Sequence, residues 1–352
     1  MKPPHEHPAG TSPLLVLIST GPQKYREYLL ASISTRYRIH LVNTTEPSWE
    51  SSYLVGSTVV PTTDLEHVSA AADRIGYPVV VKPRAAAASY GVSLVRSAEA
   101  MTACFDFADE ATVPHMPDYD QAVLVEEYLD GPEVSVDSVI VDGKVRPLFV
   151  GHKRTGFPPY FEETGHTVSH DDPLLADPEF LDVLQDVHTA LGFTTGWTHT
   201  ELKLSPSGAA KVIEVNARLG GDLIPYLGRL ASGIDPGLVA AAVACGREPD
   251  LTADRNLVGA VRFLYVEHDD TVIDRVEFDA SALPPQIDRT VVLAAPGDVV
   301  SPPPRGLLTG RVALATAVAP TAAECETALD AAAAALRIVE RAADGRAGGG
   351  AS

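Results

Sequence analysis

The chain has 352 residues, 45% of them hydrophobic and 21% charged, enough to build two or three lobes around substantial cores and too apolar for a disordered chain. With 47 Asp and Glu against 27 Lys and Arg, the formal charge is -20. This argues against nucleic acid and anionic membranes as partners, because both would be repelled over most of the surface. Three cysteines, Cys104, Cys245 and Cys325, stand far apart without a CxxC pair, as expected of reduced thiols in a cytoplasmic protein. The polar start MKPPHEHPAGTSP has no apolar targeting core, and the run 14–18 is far shorter than the roughly 20 residues of a membrane span.

In chain order, PLLVLIST reads as a strand, the segment with Tyr25, Tyr28, Leu29 and Ile33 as a helix, and 39–42 as a second strand, opening an α/β lobe. A helix is expected over 64–75, ending at Gly76. Strands follow at 79–81, 92–95, 122–127, 134–141 and 145–150. Residues 151–173, GHKRTGFPPYFEETGHTVSHDDP, are expected to form a long irregular loop, and loops of that length in compact domains are usually functional. Further helices are expected over 178–191 and within IPYLGRLASGIDPGLVAAAVACG. Strands come next at 258–266, 289–295 and 310–316, then a helix at 322–341. The ends, 1–13 and 342–352, are expected to be disordered.

The segment THTELKLSPSGAAKVIEVNARLGGD reads as a hairpin around Ser-Pro-Ser-Gly. Alternation sends Trp197, His199, Glu201 and Lys203 to one face and groups Val212, Glu214 and Asn216 on the returning strand. Residues 201 and 214 are symmetric about a loop at 205–210, so Glu201 should lie opposite Glu214, and His199 opposite Asn216. Opposed side chains have Cβ atoms about 4.5–5.5 Å apart, and like charges there destabilise a sheet. Either one carboxyl keeps its proton, or a divalent cation lies between the two, or both face water that screens them. Oxygen donors from Glu201, Glu214 and Asn216 are of the kind Mg²⁺ prefers. Arg218 continues the face of Asn216 and can pair bidentately with an oxyanion.

Upstream, GYPVVVKPRAAAASYGVSLV places Lys82, one of seven lysines, after three valines and before a loop of small residues. Such a loop lets backbone N–H groups approach phosphate oxygens closely, with the lysine as a point charge.

Taken in order, GYPVVVKP…SYGV, VLVEEYLDGPEVSVD and HTELKLSPSGAAKVIEVNARLGGD resemble the ATP-grasp superfamily of carboxylate-amine ligases, in the branch holding L-amino acid ligases and biotin carboxylase. The likeness covers roughly 59–246, and the segment from Leu257 resembles that branch's small β-rich C-terminal lobe. The resemblance implies a mixed α+β and α/β fold, divided into a reduced N-terminal lobe (14–60), a lid lobe (61–129), a catalytic lobe (130–250) and a β-rich subdomain (251–341).

By the same resemblance, Lys82, Ser89 and Gly91 would contact ATP phosphates, residues 85–91 forming the loop over them. Glu126, Glu127, Tyr128 and Leu129 would line adenine, and Glu133 the ribose. Glu201, Glu214 and Asn216 would hold Mg²⁺, with Mn²⁺ as a substitute. Lys153 or Arg154 would reach phosphate. Arg218, Gly220, Gly221, His166 of a Gly165-His166 element and, less directly, His199 would face substrate. The implied activity joins an amino acid or small carboxylate to an amine through an acyl phosphate. Its partners would be small molecules and a second copy in a homodimer. Two alternatives stay open: a carboxylase-type or purine-pathway enzyme of the same fold, and a non-catalytic ATP-binding protein. The chain departs from the family in having only Lys2 and Lys24 before Lys82, in a short N-terminal lobe, and in alanines where relatives carry glycines.

Overall fold

The computed structural model describes residues 14–18, 23–43, 47–54, 56–59, 78–83, 91–97, 100, 103–104, 107–108, 123–206 and 208–341. The helix expected at 64–75, the loop 85–90 with Ser89, and both terminal segments lie outside them.

The N-terminal unit contains three parallel strands, β1 (Leu14–Ile18), β2 (Arg38–Asn43) and β3 (Gly56–Val59), in the order β1-β2-β3, with helix α1 (Gln23–Ile33) between the first two. Leu30 and Ile33 of α1 pack with Tyr37, Ile39 and Tyr53 in a core shared with Ala241, which seats this unit on a later helix. A second, antiparallel sheet has the order β5-β4-β6, from β4 (Val79–Pro83), β5 (Ser93–Val95) and β6 (Val123–Glu127), with Lys82 opposite Leu124.

The third sheet dominates. Its strands are β7 (Glu133–Val141), β8 (Lys144–Gly156), β9 (Glu162–Ser169), β10 (Gly196–Leu204), β11 (Ala210–Asn216), β12 (Val258–Tyr265), β14 (Ile287–Val292) and β16 (Arg311–Ala319). Among the described residues they form one eight-stranded antiparallel sheet in the order β11-β10-β7-β8-β9-β12-β16-β14. A small sheet, β15-β13-β17, joins β13 (Thr271–Phe278), β15 (Val299–Val300) and β17 (Leu336–Glu340).

Helices cover the large sheet on both faces. On one side α2 (Pro178–Ala190) presses Phe180 and Leu184 onto Val134, Val136, Val150 and Leu202. On the other, α3 (Ile224–Ser232) and α4 (Pro236–Ala244) cover Phe149, Trp197, Val261 and Phe263. Gly233 in the left-handed region ends α3, and the Asp235 side chain caps α4, so the two meet at 106°. Among the described residues no single helix is long and apolar enough to cross a membrane. Helix α5 (Ala322–Ala335) opens with a Thr321/Glu324 capping box and packs Cys325, Ala328, Leu329 and Ala332 onto Ala260, Ala315 and Ala317.

Two expectations are corrected. Residues 151–173 are not an irregular loop: β8 runs on to Gly156 and pairs with β9, leaving a short connection at 157–161. The period-2 signal was hidden because these strands lie inside the sheet and bury charged side chains, Lys153, Glu163 and His166, against one another. The helix expected at 322–341 stops at Ala335, where Leu336–Glu340 turns extended to pair with β13. After residue 250, β12, β14 and β16 continue the large sheet through the β9–β12 pair, and β13, β15 and β17 form the small sheet.

Candidate active site

The hairpin β10–β11 has the expected register: Glu201 lies opposite Glu214 and His199 opposite Asn216, with a bulge after Glu201. The like charges are separated by cations from other strands. Glu201 Oε2 accepts a hydrogen bond from Lys153 Nζ at 2.7 Å, while Glu201 Oε1 is 3.5 Å from His199 Nε2. Glu214 Oε1 accepts from Asn216 Nδ2 at 2.7 Å, and Glu214 Oε2 lies 3.7 Å from Lys82 Nζ. Lys82 also contacts Glu126 Oε2 at 2.8 Å. It therefore ties the β5-β4-β6 sheet to the hairpin, beside the half-exposed Glu214.

Lys153 belongs to a different environment from the one expected. Its side chain is 1% exposed and meets three carboxylates, Glu133 at 3.0 Å, Glu163 at 2.9 Å and Glu201 at 2.7 Å. Burial alone would lower the ammonium's pKa; the negative charges of Glu163, Glu201 and Glu133 outweigh it and hold the group well above its ordinary value. Burial would likewise raise Glu201 and Glu163, and Lys153 instead draws Glu201 well below, and Glu163 below, the usual carboxylate range. Glu133 is further paired with Lys203 at 3.1 Å.

His199 is buried, with Nδ1 3.2 Å from Asp137 Oδ2; burial would lower its pKa, but Asp137 and Glu201 push it up to about 9. Asp137 is anchored by the Trp197 indole at 2.7 Å and by the backbone N–H of Gly220 at 2.8 Å. A Cβ on Gly220 would stand 2.5 Å from Asp137 Oδ2 and 2.7 Å from His199 Nδ1, so only glycine lets this turn close. Gly221 has open space around it. Arg218 is exposed and donates to Leu219 O at 3.0 Å. Tyr128 donates to Asp130 at 3.2 Å, Leu129 follows β6 half-buried, Glu127 lies on β6, and Gly91 sits at φ 79° just before β5.

Five charged residues that the sequence reading passed over complete the cluster: Asp137, Glu162, Glu163, Asp222 and Arg311. The Arg311 guanidinium is buried and stacks on Phe263 at 3.8 Å; it donates to Glu162 Oε1 at 3.1 Å, Asp222 Oδ1 at 2.9 Å and Glu163 O at 2.8 Å. Burial opposes its charge, and Asp222 and Glu162 keep it firmly protonated; Asp222, despite burial, is drawn below the carboxylate range chiefly by Arg311. Tyr265 donates to Glu162 at 2.6 Å. His166 Nε2 lies 3.1 Å from Glu163 Oε2 and 3.5 Å from Asp222 Oδ2. Asp222 and Leu223 are consecutive non-glycine residues at φ 44° and 68°, a conformation seldom held without a purpose. One available sequence signal was Glu162-Glu163 together in a segment flanked by aromatics.

The donors expected for Mg²⁺ fit that ion unequally. Glu214 and the Asn216 amide are adjacent, half-exposed oxygen donors, which suits a hard cation. Glu201 is already neutralised by Lys153 and His199 and joins them only by sharing its oxygens.

Residues 75–226 match the family model for the ATP-grasp domain. Among known proteins, alanine–anticapsin ligase of Bacillus subtilis is 29% identical over 210 residues, 54% of this chain and 43% of that protein. Carnosine synthase 1 of Mus musculus is 28% identical over 233 residues, 64% of this chain and 28% of that one. The crystal structure of an L-amino acid ligase from Bacillus licheniformis superposes with a TM-score of 0.71 over 94% of this chain and 99% of that chain, at 15% identity. Residues 75–226 thus match the ATP-grasp domain, and the chain has the ATP-grasp fold. It spans less than half the length of these two relatives.

Proposed function

We propose that the chain is an ATP-dependent carboxylate-amine ligase that joins an amino acid or similar small acid to an amine and releases ADP and phosphate. The observation that carries this reading is the set Lys82, Glu126, Glu214 and Asn216, which brings a phosphate-binding type of cation and two oxygen donors to the junction of two sheets. An ATP-grasp domain with amino acid ligases among its relatives supports it.

In this reaction a carboxylate oxygen attacks the γ-phosphorus of ATP and ADP leaves. The amine nitrogen then attacks the acyl carbon, phosphate leaves with its bonding pair, and the nitrogen loses a proton. Bound Mg²⁺ would supply charge neutralisation on the phosphates, and positioning by the protein most of the rest. Lys82 steadies phosphate oxygens, and Glu214 and Asn216, with Glu201 beside them, would hold the ion. Gly91, just before β5, would lie beside the phosphates, and Ser89 is outside the described residues. Glu126, Glu127, Tyr128 and Leu129 line the adenine side. Arg218 and the open backbone at Gly221 face the substrate carboxylate or the transferring phosphoryl, with the closed turn at Gly220, His166 and His199 behind them. A ribose contact by Glu133 competes with its pairs to Lys153 and Lys203, and Lys153, held by three carboxylates, orders the pocket instead of touching phosphate.

The test is ADP and phosphate release from Mg·ATP across amino acids supplied singly and in pairs. Turnover that requires two amino acids is expected, together with loss of about 100-fold or more in Glu214→Gln without a change in melting temperature. Turnover with bicarbonate would favour a carboxylase, and nucleotide binding without turnover on any substrate a binding protein.

A further inference from the structure

We propose a second metal site, formed by Glu163, His166 and Asp222 and suited to a divalent first-row transition ion. It differs in donor chemistry from the oxygen set of Glu214 and Asn216 and does not depend on the ligase reading.

Three observations carry it. First, one donor atom from each of Glu163, His166 and Asp222 lies within 4.8 Å of the other two, with His166 Nε2 at 3.1 Å and 3.5 Å from the two carboxylate oxygens. Ligands about 2.1 Å from a common ion stand about 3.0 Å apart at right angles and about 3.4 Å apart in a tetrahedron. The two His166 spacings, 3.1 Å and 3.5 Å, fall at those values.

Second, the three donor atoms face one another, and a metal would take the place of the proton that His166 shares with the two carboxylates. His166 is 2% exposed, and neither of its ring nitrogens makes a well-directed hydrogen bond; Asp222 Oδ2 has none either. The remaining oxygens are fixed from outside, Glu163 Oε1 by Lys153 at 2.9 Å and Asp222 Oδ1 by Arg311 at 2.9 Å, so that Oε2 and Oδ2 point inward. Outer partners of this kind orient metal ligands. The neighbouring trio Glu133, Glu163 and Glu201 has the same span, but the Lys153 ammonium already fills it.

Third, the buried network lacks positive charge. Six carboxylates, Glu133, Asp137, Glu162, Glu163, Glu201 and Asp222, meet three permanent cations, Lys153, Lys203 and Arg311. Counting the His199 imidazolium between Asp137 and Glu201 as a fourth cation, it is two charges short, and a divalent ion supplies two. One imidazole with two carboxylates suits Mn²⁺, Co²⁺ or Zn²⁺ better than Mg²⁺, which prefers oxygen alone.

The experiment uses the full chain, stripped with chelator, saturated with Mg²⁺ and titrated with Mn²⁺, and read by pulsed EPR. Wild type is expected to bind Mn²⁺ with the ¹⁴N coupling of a ligating imidazole. His166→Gln should lose that coupling and bind Mn²⁺ about 10-fold or more weakly, whereas Glu214→Gln should keep it. Glu163→Gln, which retains the imidazole, should weaken Mn²⁺ binding similarly and serves if His166→Gln does not fold. Wild type showing no nitrogen-coupled Mn²⁺ at millimolar concentrations would overturn the proposal, as would undiminished coupling in His166→Gln.

Discussion

His199 and Asp137 show what a single buried pair does in this site. The imidazole is enclosed by Asp137, Glu201 and the Gly220 turn, and its pKa is pushed up to about 9, from about 6.5 in an unfolded chain. A raised folded-state pKa stabilises fully below the unfolded value and is lost as pH climbs through the folded one. The thermal midpoint should therefore fall between about pH 6.5 and pH 9, and His199→Gln should flatten the profile in that window. Parallel profiles for the two proteins would remove His199 as the cause. The residue types of this cluster were visible in the sequence, but their pairings were not. Lys153 and Glu201 are 48 positions apart, and Arg311 and Glu162 are 149 apart, so no local spacing connects them.

Elements differ in how plainly they announced themselves. The β10–β11 hairpin was legible because a turn fixes register, and register fixes which residues oppose each other. Strand β9 was not, because its charged residues are neutralised by partners on β8 and β12–β16 and look, along the chain, like a solvated loop. Helix α3 shows the reverse situation, a regular element made possible by one small residue. A Cβ on Gly228 would enter the Phe149 ring on the sheet beneath. Gly to Ala in a helix gains about 1 kcal/mol from propensity, whereas overpacking a filled core costs about 1–3 kcal/mol. Displacing an aromatic ring belongs at the upper end of that range, so Gly228→Ala is expected to lose about 1–2 kcal/mol. Urea unfolding reads this as a lower midpoint, and a higher midpoint would mean that the core yields without strain.

At the scale of the whole molecule, Lys82 joins Glu126 of its own sheet to Glu214 of the large one. A ligand that neutralises this junction should tighten both sheets together. Mg·ADP at about 100 times its dissociation constant should add about 2.7 kcal/mol, raising the melting temperature by about 3–4 °C for a chain of this size. Lys82→Ala should lose most of the shift while keeping its own melting point near that of wild type. Absence of any shift in wild type at millimolar nucleotide would count against nucleotide binding at this junction. The large sheet also absorbs β12, β14 and β16, so the strands after residue 250 brace the site directly, with Arg311 as their contribution to it.

The sequence by itself determined the three ordered motifs, the hairpin register and the opposition of Glu201 to Glu214, because all of these follow from neighbours along the chain and from the period of a strand. Only the tertiary structure decided how that opposition is relieved. Lys153 reaches Glu201 from β8, Lys82 reaches Glu214 from another sheet, and Arg311 closes on Asp222 from β16. The physical reason is that charge is balanced through space inside a poorly solvated interior, where the partner that matters is the nearest ion and not the nearest residue in sequence.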